Sequence, residues 1–445
     1  MGRRLSYAEA VAALEDALTF GINPSLRGIR ALTDALGRPQ DAFAVVQVTG
    51  TNGKSSVTRT IATLLAAEGL STGAYTSPHL ESYTERIELG GAPCSESDFA
   101  SALSAALDAA AAVGSDAAAF TEFELLTAAA LWLLRERGVD VACLEVGMGG
   151  RWDATSVADP AVAVITGVGL DHTERLGSTI EAIAADKSHI IKAGASVVLG
   201  PGTLPVAGVF LARTESLGLH PRFVAPRDGV TPVPESLTVR FDVTARPDRP
   251  GGRTTLGVAG VHATYDGLEL VAPSYQAANG ATALAAAECA LGRALRADAA
   301  RSALAAITFP GRFELVAECP PVVLDGAHNP QAAEVLAGAI AEAWPDPTAR
   351  PLALIGVLRD KDADGIVRAL APHVSGFMCT APDSPRALGA EALAMVAEGV
   401  CEVPLRVEGD LERALELARA EAGSVGVVVT GSFYTVGQVR AHTHP

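Results

Sequence analysis

Gly50-Thr51-Asn52-Gly53-Lys54-Ser55-Ser56 puts a lysine, three hydroxyls and two glycines into one short turn. That residue set is suited to holding a polyphosphate. Glycines let the backbone approach phosphate oxygens, and the amides that follow point at the anion. Lys54 would bring positive charge to the outer phosphates, and the Ser55 hydroxyl would lie near Mg²⁺. The usual loop has another glycine five residues before that of Gly-Lys, where this chain has Val48. Gly50-x-x-Gly53-Lys54-Ser55 is therefore a tighter variant. A solvated lysine on a glycine-rich turn is the plainer alternative, but the flanking order weighs against it. Val45–Val48 reads as a buried strand, and Val57, Ile61, Leu64 and Leu65 follow at helical spacing.

Three more groups could do chemistry. Glu145 closes the apolar run Val139–Val146. A carboxylate there is costly unless a cation meets it, and Mg²⁺ bridging nucleotide phosphates would serve. His172, in Leu170-Asp171-His172-Thr173, follows the apolar run Ala161–Gly167; its place at a strand end favours a metal role over a structural one. Ser77 precedes Pro78, which disfavours helix and leaves the hydroxyl on a strand-end loop. In open parallel sheets such ends are where ligands bind.

The elements that position these groups follow from local pattern. Ser6-x-x-Glu9 is a capping box opening a helix through Leu18. Gly21–Ser25 separates it from a second amphipathic helix, which Gly37-Arg38-Pro39 closes. Residues 95–113 and 121–137 read as helices, as does Thr179–Ile191, which carries Lys187 in its second half. From about residue 204 to 275 the pattern changes. Leu237–Val243 alternates, Thr254–Val258 is a short strand, and Asp266-Gly267 signals a hairpin between Ala263–Tyr265 and Leu268–Leu270. This predicts an antiparallel appendage on the first domain, followed by a helix with Asn279 near its start. Thr308–Glu314 has the punctuation of a joint between domains. Beyond it, strands Val322–Asp325, Leu352–Val357, Gly376–Thr380 and Val425–Thr430 alternate with helices over 330–343, 362–371, 388–398 and 410–421. That alternation specifies a second, Rossmann-like parallel sheet, so the expected domains are 1–308 and 309–445.

Composition narrows the partners. A chain of 445 residues exceeds one typical core. Its net charge of −17 argues against a nucleic-acid partner, so an anionic substrate must be met by a local cluster of Lys and Arg. The six cysteines include no Cys-x-x-Cys pair and read as reduced core thiols of a cytoplasmic protein. No apolar run approaches the roughly 20 residues that span a bilayer, so no membrane partner is expected.

Together with the phosphate loop, several strings resemble those of the folylpolyglutamate synthase/dihydrofolate synthase family, the folate branch of the Mur ligases. They are Ser77-Pro78-His79-Leu80, Glu85-Arg86-Ile87, Leu144–Ala154, Leu170-Asp171-His172-Thr173, Pro310-Gly311-Arg312-Phe313, Asp325-Gly326-Ala327-His328-Asn329-Pro330 and the closing Gly431–Val436. The resemblance implies an α/β fold: a P-loop-type Mur-ligase central domain with the β appendage, plus the Rossmann-like C-terminal domain. It implies that ATP phosphorylates a carboxylate of dihydropteroate or a reduced folate, and that L-glutamate attacks the acyl phosphate. ATP would lie between the domains, so that closure excludes water from the acyl phosphate. By the same resemblance Lys54, His172 and Lys187 are the catalytic group, and Ser77, Glu145 and His172 are Mg²⁺ ligands. Lys187 matches a lysine carboxylated by CO₂, whose carbamate contacts a second Mg²⁺. Gly50 through Ser56, with Asn279 at the adenine and Arg312, Asp325 and His328 from the second domain, would bind ATP. Arg151, Trp152, Asp153 and Ala154 match a pteroate contact, and Thr121 and Phe123 lie in a region that lines the same pocket. For Phe123 on its apolar helix, a core role is the stronger alternative. Glutamate should face the second domain, where Asp360-Lys361-Asp362 and Ser432-Phe433 end strands, and a monomer is the family's usual state. A cell-wall Mur ligase and a nucleotide-dependent switch are the competing readings.

Overall fold

The computed structural model describes residues 4–17, 24–114, 120–171 and 173–443. His172, the end of the first helix at Leu18 and the Gly21-Ile22-Asn23 stretch lie outside them. The Ser6–Glu9 capping box forms as expected: Ser6 N–H donates to Glu9 Oε2 at 2.8 Å, and Glu9 N–H donates to Ser6 Oγ at 3.3 Å.

Eleven strands join in one sheet. They are β1 (Ala44–Thr49), β2 (Thr72–Tyr75), β3 (Ile87–Leu89), β4 (Ala92–Pro93), β5 (Val141–Glu145), β6 (Val162–Gly167), β7 (Ser196–Gly202), β8 (Arg222–Pro226), β9 (Thr238–Ala245), β10 (Thr254–Ala259) and β11 (Thr264–Leu270). Their order is β11-β10-β9-β8-β7-β6-β1-β5-β2-β3-β4. The valine-rich β1 is central and buried on both faces, as a strand covered by helices on both sides must be. It pairs in parallel with β5 and β6, with Val48 abreast of Glu145 and Thr49 abreast of Ile165. This register carries three strand ends to one edge, where Gly50, Val146 and Val168 begin loops. One apolar cluster includes Leu14, Ile29, Tyr75, Phe99 and Leu126; another includes Ile165, Ile183, Val197, Phe210 and Phe223.

Two sequence expectations change here. The parallel part of the sheet continues past residue 204: helix Ala207–Ser216 leads to β8, and β9 pairs with β8 in parallel, Val224 opposite Val239. The alternation of β9 is real, with Val239 and Phe241 buried. It reports one covered face and says nothing about strand direction. Asp266-Gly267 is not a hairpin turn. It lies inside β11, where Gly267 takes φ +65° and the buried positions slip from Tyr265 to Leu268, as at a bulge. The turn sits earlier, closed by Gly260 N–H on Ala263 O at 2.8 Å.

The remaining strands form a six-stranded sheet: β12 (Arg312–Glu318), β13 (Pro321–Asp325), β14 (Leu352–Ile355), β15 (Gly376–Cys379), β16 (Leu405–Val407) and β17 (Val427–Thr430), in the order β12-β13-β17-β14-β15-β16. All neighbours are parallel except β12 with β13. The four buried strands are those the apolar runs predict. β12 and β16 escape such a reading because they are edge strands, largely uncovered and without an apolar run. The chain divides into two compact units, Met1–Asp242, Gly257–Leu268 and Ala278–Leu304 in the first, Val243–Leu256, Glu269–Ala277 and Ala305–Pro445 in the second. Among the described residues no helix is long and apolar enough to cross a membrane.

Candidate active site

In the first unit, the loop after β1 turns directly into helix Lys54–Ala67. Gly53 caps that helix at φ +83°, and a Cβ there would lie 2.6 Å from Asn279 Oδ1. Only glycine fits, and Asn279, from helix Gln276–Leu291, rests against the loop. The end of β6 braces the loop from the other side. Thr166 Oγ1 donates to Asn52 O at 2.6 Å, Thr51 N–H to Gly167 O at 3.0 Å, and Gly169 N–H to Thr51 Oγ1 at 2.9 Å. Lys54 Nζ donates to Gly50 O and Thr51 O, each at 3.2 Å, and buried Lys187 Nζ donates to the same Gly50 O at 2.9 Å. Two lysine amines and a helix N-terminus thus converge where an anion would bind. Burial, then the neighbouring Lys54 charge, pushes the Lys187 amine down to about 7.

Glu145 is buried at the end of β5 and joins two loops. Ser55 Oγ donates to its Oε1 at 2.9 Å, and Ser77 N–H donates to its Oε2 at 3.0 Å. A carboxylate with hydroxyls beside it fits a hard divalent cation. Among the described residues no group of three or more His, Cys, Asp or Glu is placed to hold a metal. A cation here would draw its other ligands from phosphates and water, as Mg²⁺ prefers.

Beside Ser77 lies a cavity of about 510 Å³, lined in part by Arg86, Thr121, Phe123, Trp152, Asp153 and Ala154. Thr121 caps helix Glu122–Glu136 in a capping box with Glu124. Phe123 lines the cavity and packs on Tyr75, ring centroids 5.9 Å apart, at the edge of the core. Asp153 is tied inward, accepting from Met148 N–H and Thr155 N–H, each at 3.0 Å. Arg151 stacks its guanidinium 4.7 Å over the Trp152 ring. Arg86, to which the sequence assigns no role, is buried in the cavity wall and donates Nε–H to His79 Nδ1 at 2.9 Å. Burial, then the Arg86 charge, holds His79 down at about 4, so it is a neutral acceptor at neutral pH.

The second unit carries its own cluster at the end of β13. Asp325 accepts from Phe313 N–H and Ala327 N–H, both at 2.9 Å. Phe313 sits at φ +54°, a conformation a bulky residue adopts only when its surroundings hold it there. Arg312 lies 4.6 Å over the Phe433 ring, and the His328 ring is 5.7 Å from the same ring, with Nδ1 2.8 Å from Gly326 O. Burial raises the Asp325 carboxyl to about 6, against the opposing pull of Arg312 and the backbone amides. A carboxyl bound more tightly to its proton in the folded state stabilises the fold fully below its unfolded value of 3.8. That contribution is lost as pH rises through about 6. Urea unfolding of the wild type from pH 4 to pH 6.5 should therefore show a loss that Asp325→Asn lacks; equal slopes would contradict this.

Comparison with known proteins decides the family. The Mur ligase middle domain matches residues 48–198, and the Mur ligase glutamate ligase domain matches residues 311–433. The dihydrofolate synthase/folylpolyglutamate synthase of Mycobacterium tuberculosis is 36% identical over 447 residues, covering 94% of this chain and 90% of that protein. The chain belongs to the folylpolyglutamate synthase/dihydrofolate synthase family. The Escherichia coli member is 34% identical over 438 residues, 97% of this chain and 94% of that one. Among solved structures, M. tuberculosis folylpolyglutamate synthase complexed with ADP and AMPPCP superposes with a TM-score of 0.87 at 35% identity, covering 98% of this chain and 99% of that one. E. coli FolC in complex with DHPP and ADP has a TM-score of 0.85 at 31% identity, covering 98% and 97%. A bifunctional member with Mn, AMPPNP and L-glutamate bound has a TM-score of 0.82 at 30% identity, covering 99% and 98%.

The family is one of ATP-dependent ligases, and this chain is an enzyme of that class using ATP and a divalent metal. Membership displaces the switch and cell-wall readings. In the first unit the fold gathers Gly50–Ser55, Ser77, Glu145, Lys187 and Asn279 around one loop, with Thr121, Phe123 and Trp152–Ala154 on the adjoining cavity. Ser56 is buried in the first turn of the loop helix. Arg312, Asp325 and His328 gather in the second unit. Arg86 belongs to the Glu85-Arg86-Ile87 string but has no role assigned there, because an arginine just before a short strand is ordinary on a surface. Glu124, three residues after Thr121, is the local signal of a capping box.

Proposed function

We propose that the first unit's cavity takes the pteroate or folate acceptor with its reacting carboxylate directed at the phosphate loop. One observation carries this: Glu145 holds Ser55 of the loop with one oxygen and Ser77 of the cavity wall with the other. The nucleotide site and the acceptor site therefore share a single buried carboxylate. The enzyme is an ATP-dependent ligase that adds L-glutamate to dihydropteroate, to reduced folates, or to both.

The acceptor carboxylate attacks the terminal phosphorus of ATP, ADP leaves, and an acyl phosphate forms. The glutamate amine then attacks the acyl carbon, loses a proton, and expels inorganic phosphate. Lys54 steadies the transferring phosphate, since such transfers depend on positioning and charge neutralisation. A divalent cation, held by Glu145 with Ser55, Ser77 and His172, would offset the charge that builds on the phosphate oxygens.

Several finer assignments belong to the same proposal. Lys187 would become a carbamate: its amine at about 7 is partly neutral, the form that adds to CO₂ with loss of a proton. That anion would serve a second Mg²⁺. Asn279, against Gly53, would contact adenine; Arg312, Asp325 and His328 would meet the nucleotide from the second unit. Residues 1–308 would bind ATP and acceptor and 309–445 would supply the glutamate-ligase domain, in a cytoplasmic monomer without nucleic-acid or membrane partners.

The test is ADP release with dihydropteroate plus L-glutamate, with tetrahydrofolate plus L-glutamate, and with each component omitted. Release that needs both acceptor and glutamate is expected with at least one folate. No acceptor-dependent release with either would overturn the reading.

A further inference from the structure

Helix Ile180–Lys187 ends with two adjacent residues that face different parts of the site. Lys187 reaches the phosphate loop, with Nζ on Gly50 O at 2.9 Å. Asp186 reaches the loop that follows β5. Its Oδ1 accepts from Gly150 N–H at 2.9 Å and from Arg151 N–H at 3.4 Å, and its side chain lines the cavity with Trp152 and Asp153. The carbonyls of the same loop are taken by other elements: Thr49 Oγ1 donates to Gly149 O at 2.6 Å, and Ser156 Oγ donates to Gly150 O at 2.7 Å. Within the loop Asp153 takes Met148 N–H, and Gly150 and Arg151 N–H are met by Asp186 from outside it; a carboxylate on backbone N–H is a charge-assisted bond.

The loop's glycines match this contact. Gly149 sits at φ +67°, and a Cβ there would fall 2.2 Å from Asp186 Oδ1. A Cβ on Gly150 would fall 2.8 Å from Lys187 O and 3.0 Å from Asp186 O. The helix end can approach this closely only because two successive residues lack side chains.

We propose that Asp186 is a positioning residue that registers the acceptor-binding loop against the lysine at the phosphate loop. The inference rests on the cavity being the acceptor site. Asp186 touches no reacting atom; it decides how far the acceptor's carboxylate stands from the phosphate it must attack. A displacement of about 1 Å at such a point costs up to about a hundredfold in rate.

The experiment is steady-state ADP release by wild type, Asp186→Ala and Asp186→Asn, with thermal melting as a control on folding. Asp186→Ala should lose about ten- to a hundredfold in kcat/KM for the folate acceptor, with the KM for ATP unchanged. Asp186→Asn should recover most of that loss, because its Oδ1 still accepts from both amides. Gly150→Ala pushes the loop off the same helix end without altering Asp186. It should show the same acceptor-selective loss, and it carries the test if Asp186→Ala does not fold. An active wild type with unchanged acceptor kinetics in Asp186→Ala would overturn the positioning role alone. So would Asp186→Asn as impaired as Asp186→Ala, or an equal rise in the KM for ATP. A wild type with no folate-dependent release would overturn the site assignment, and this inference with it.

Discussion

Glu145→Gln should lower acceptor-dependent ADP release by about a hundred- to a thousandfold, the scale for removing one preorganised electrostatic contact at a reacting phosphate or acyl group. The substitution is close to isosteric, and the hydrogen-bond partners can accommodate it. The glutamine oxygen can face Ser77 N–H while its NH₂ faces Ser55 Oγ, which accepts as readily as it donates. Both loops should then stay in place and the melting temperature should change little. What disappears is the negative charge at the junction of the two sites. Raising the Mg²⁺ concentration should recover part of the activity, because the defect is weakened cation binding. Activity within a factor of a few of wild type at low Mg²⁺ would exclude Glu145 as a metal ligand.

Lys187→Ala should reduce turnover by about a hundredfold or more on the same electrostatic scale, and small added carboxylates should restore part of it. The buried amine sits beside Lys54 at the Gly50 carbonyl, so a permanent ammonium there is disfavoured by both burial and repulsion. The folded value lies near 7, against 10.5 when exposed. Between these values the unfolded chain holds a proton that the folded one has released, so stability should rise with pH across that window. The neutral amine grows over the same rise through about 7, and with it the capacity to add CO₂. Activity of the wild type should therefore fall in CO₂-depleted buffer and return with bicarbonate, while Lys187→Ala is indifferent to both. Unaltered activity in Lys187→Ala would rule out the carbamate.

The parts of the site legible in the sequence are those set by neighbours along the chain. The phosphate loop is one, since its glycines, lysine and hydroxyls act within seven positions, between a strand and a helix whose periodicities are plain. Away from the site, the capping box at Ser6 is legible for the same reason. Where a local signal had two uses, it misled. Asp266-Gly267 can serve a tight turn or a bulge, because both place the glycine at positive φ. A two-residue hairpin turn would need Asp266 there as well, and only Gly267 adopts it, inside a β11 that pairs with β10. Alternation in β9 shows that one face is covered, whatever the direction of its neighbour.

Residue types and spacing by themselves predicted a polyphosphate loop and two α/β sheets, and the combined strings resembled one ligase family, which comparison with known proteins then established. Tertiary structure alone decided which distant groups meet. Ser55 and Ser77 reach Glu145 across 90 and 68 positions because β1 and β2 both flank β5 and end at the same edge of the sheet. Asp186 reaches Gly150 across 36 positions because two glycines leave room for a helix end. Such meetings depend on strand register and close packing, which are properties of the assembled sheet and not of any one segment. They turn a phosphate loop into a site where a phosphate and a carboxylate can be brought together.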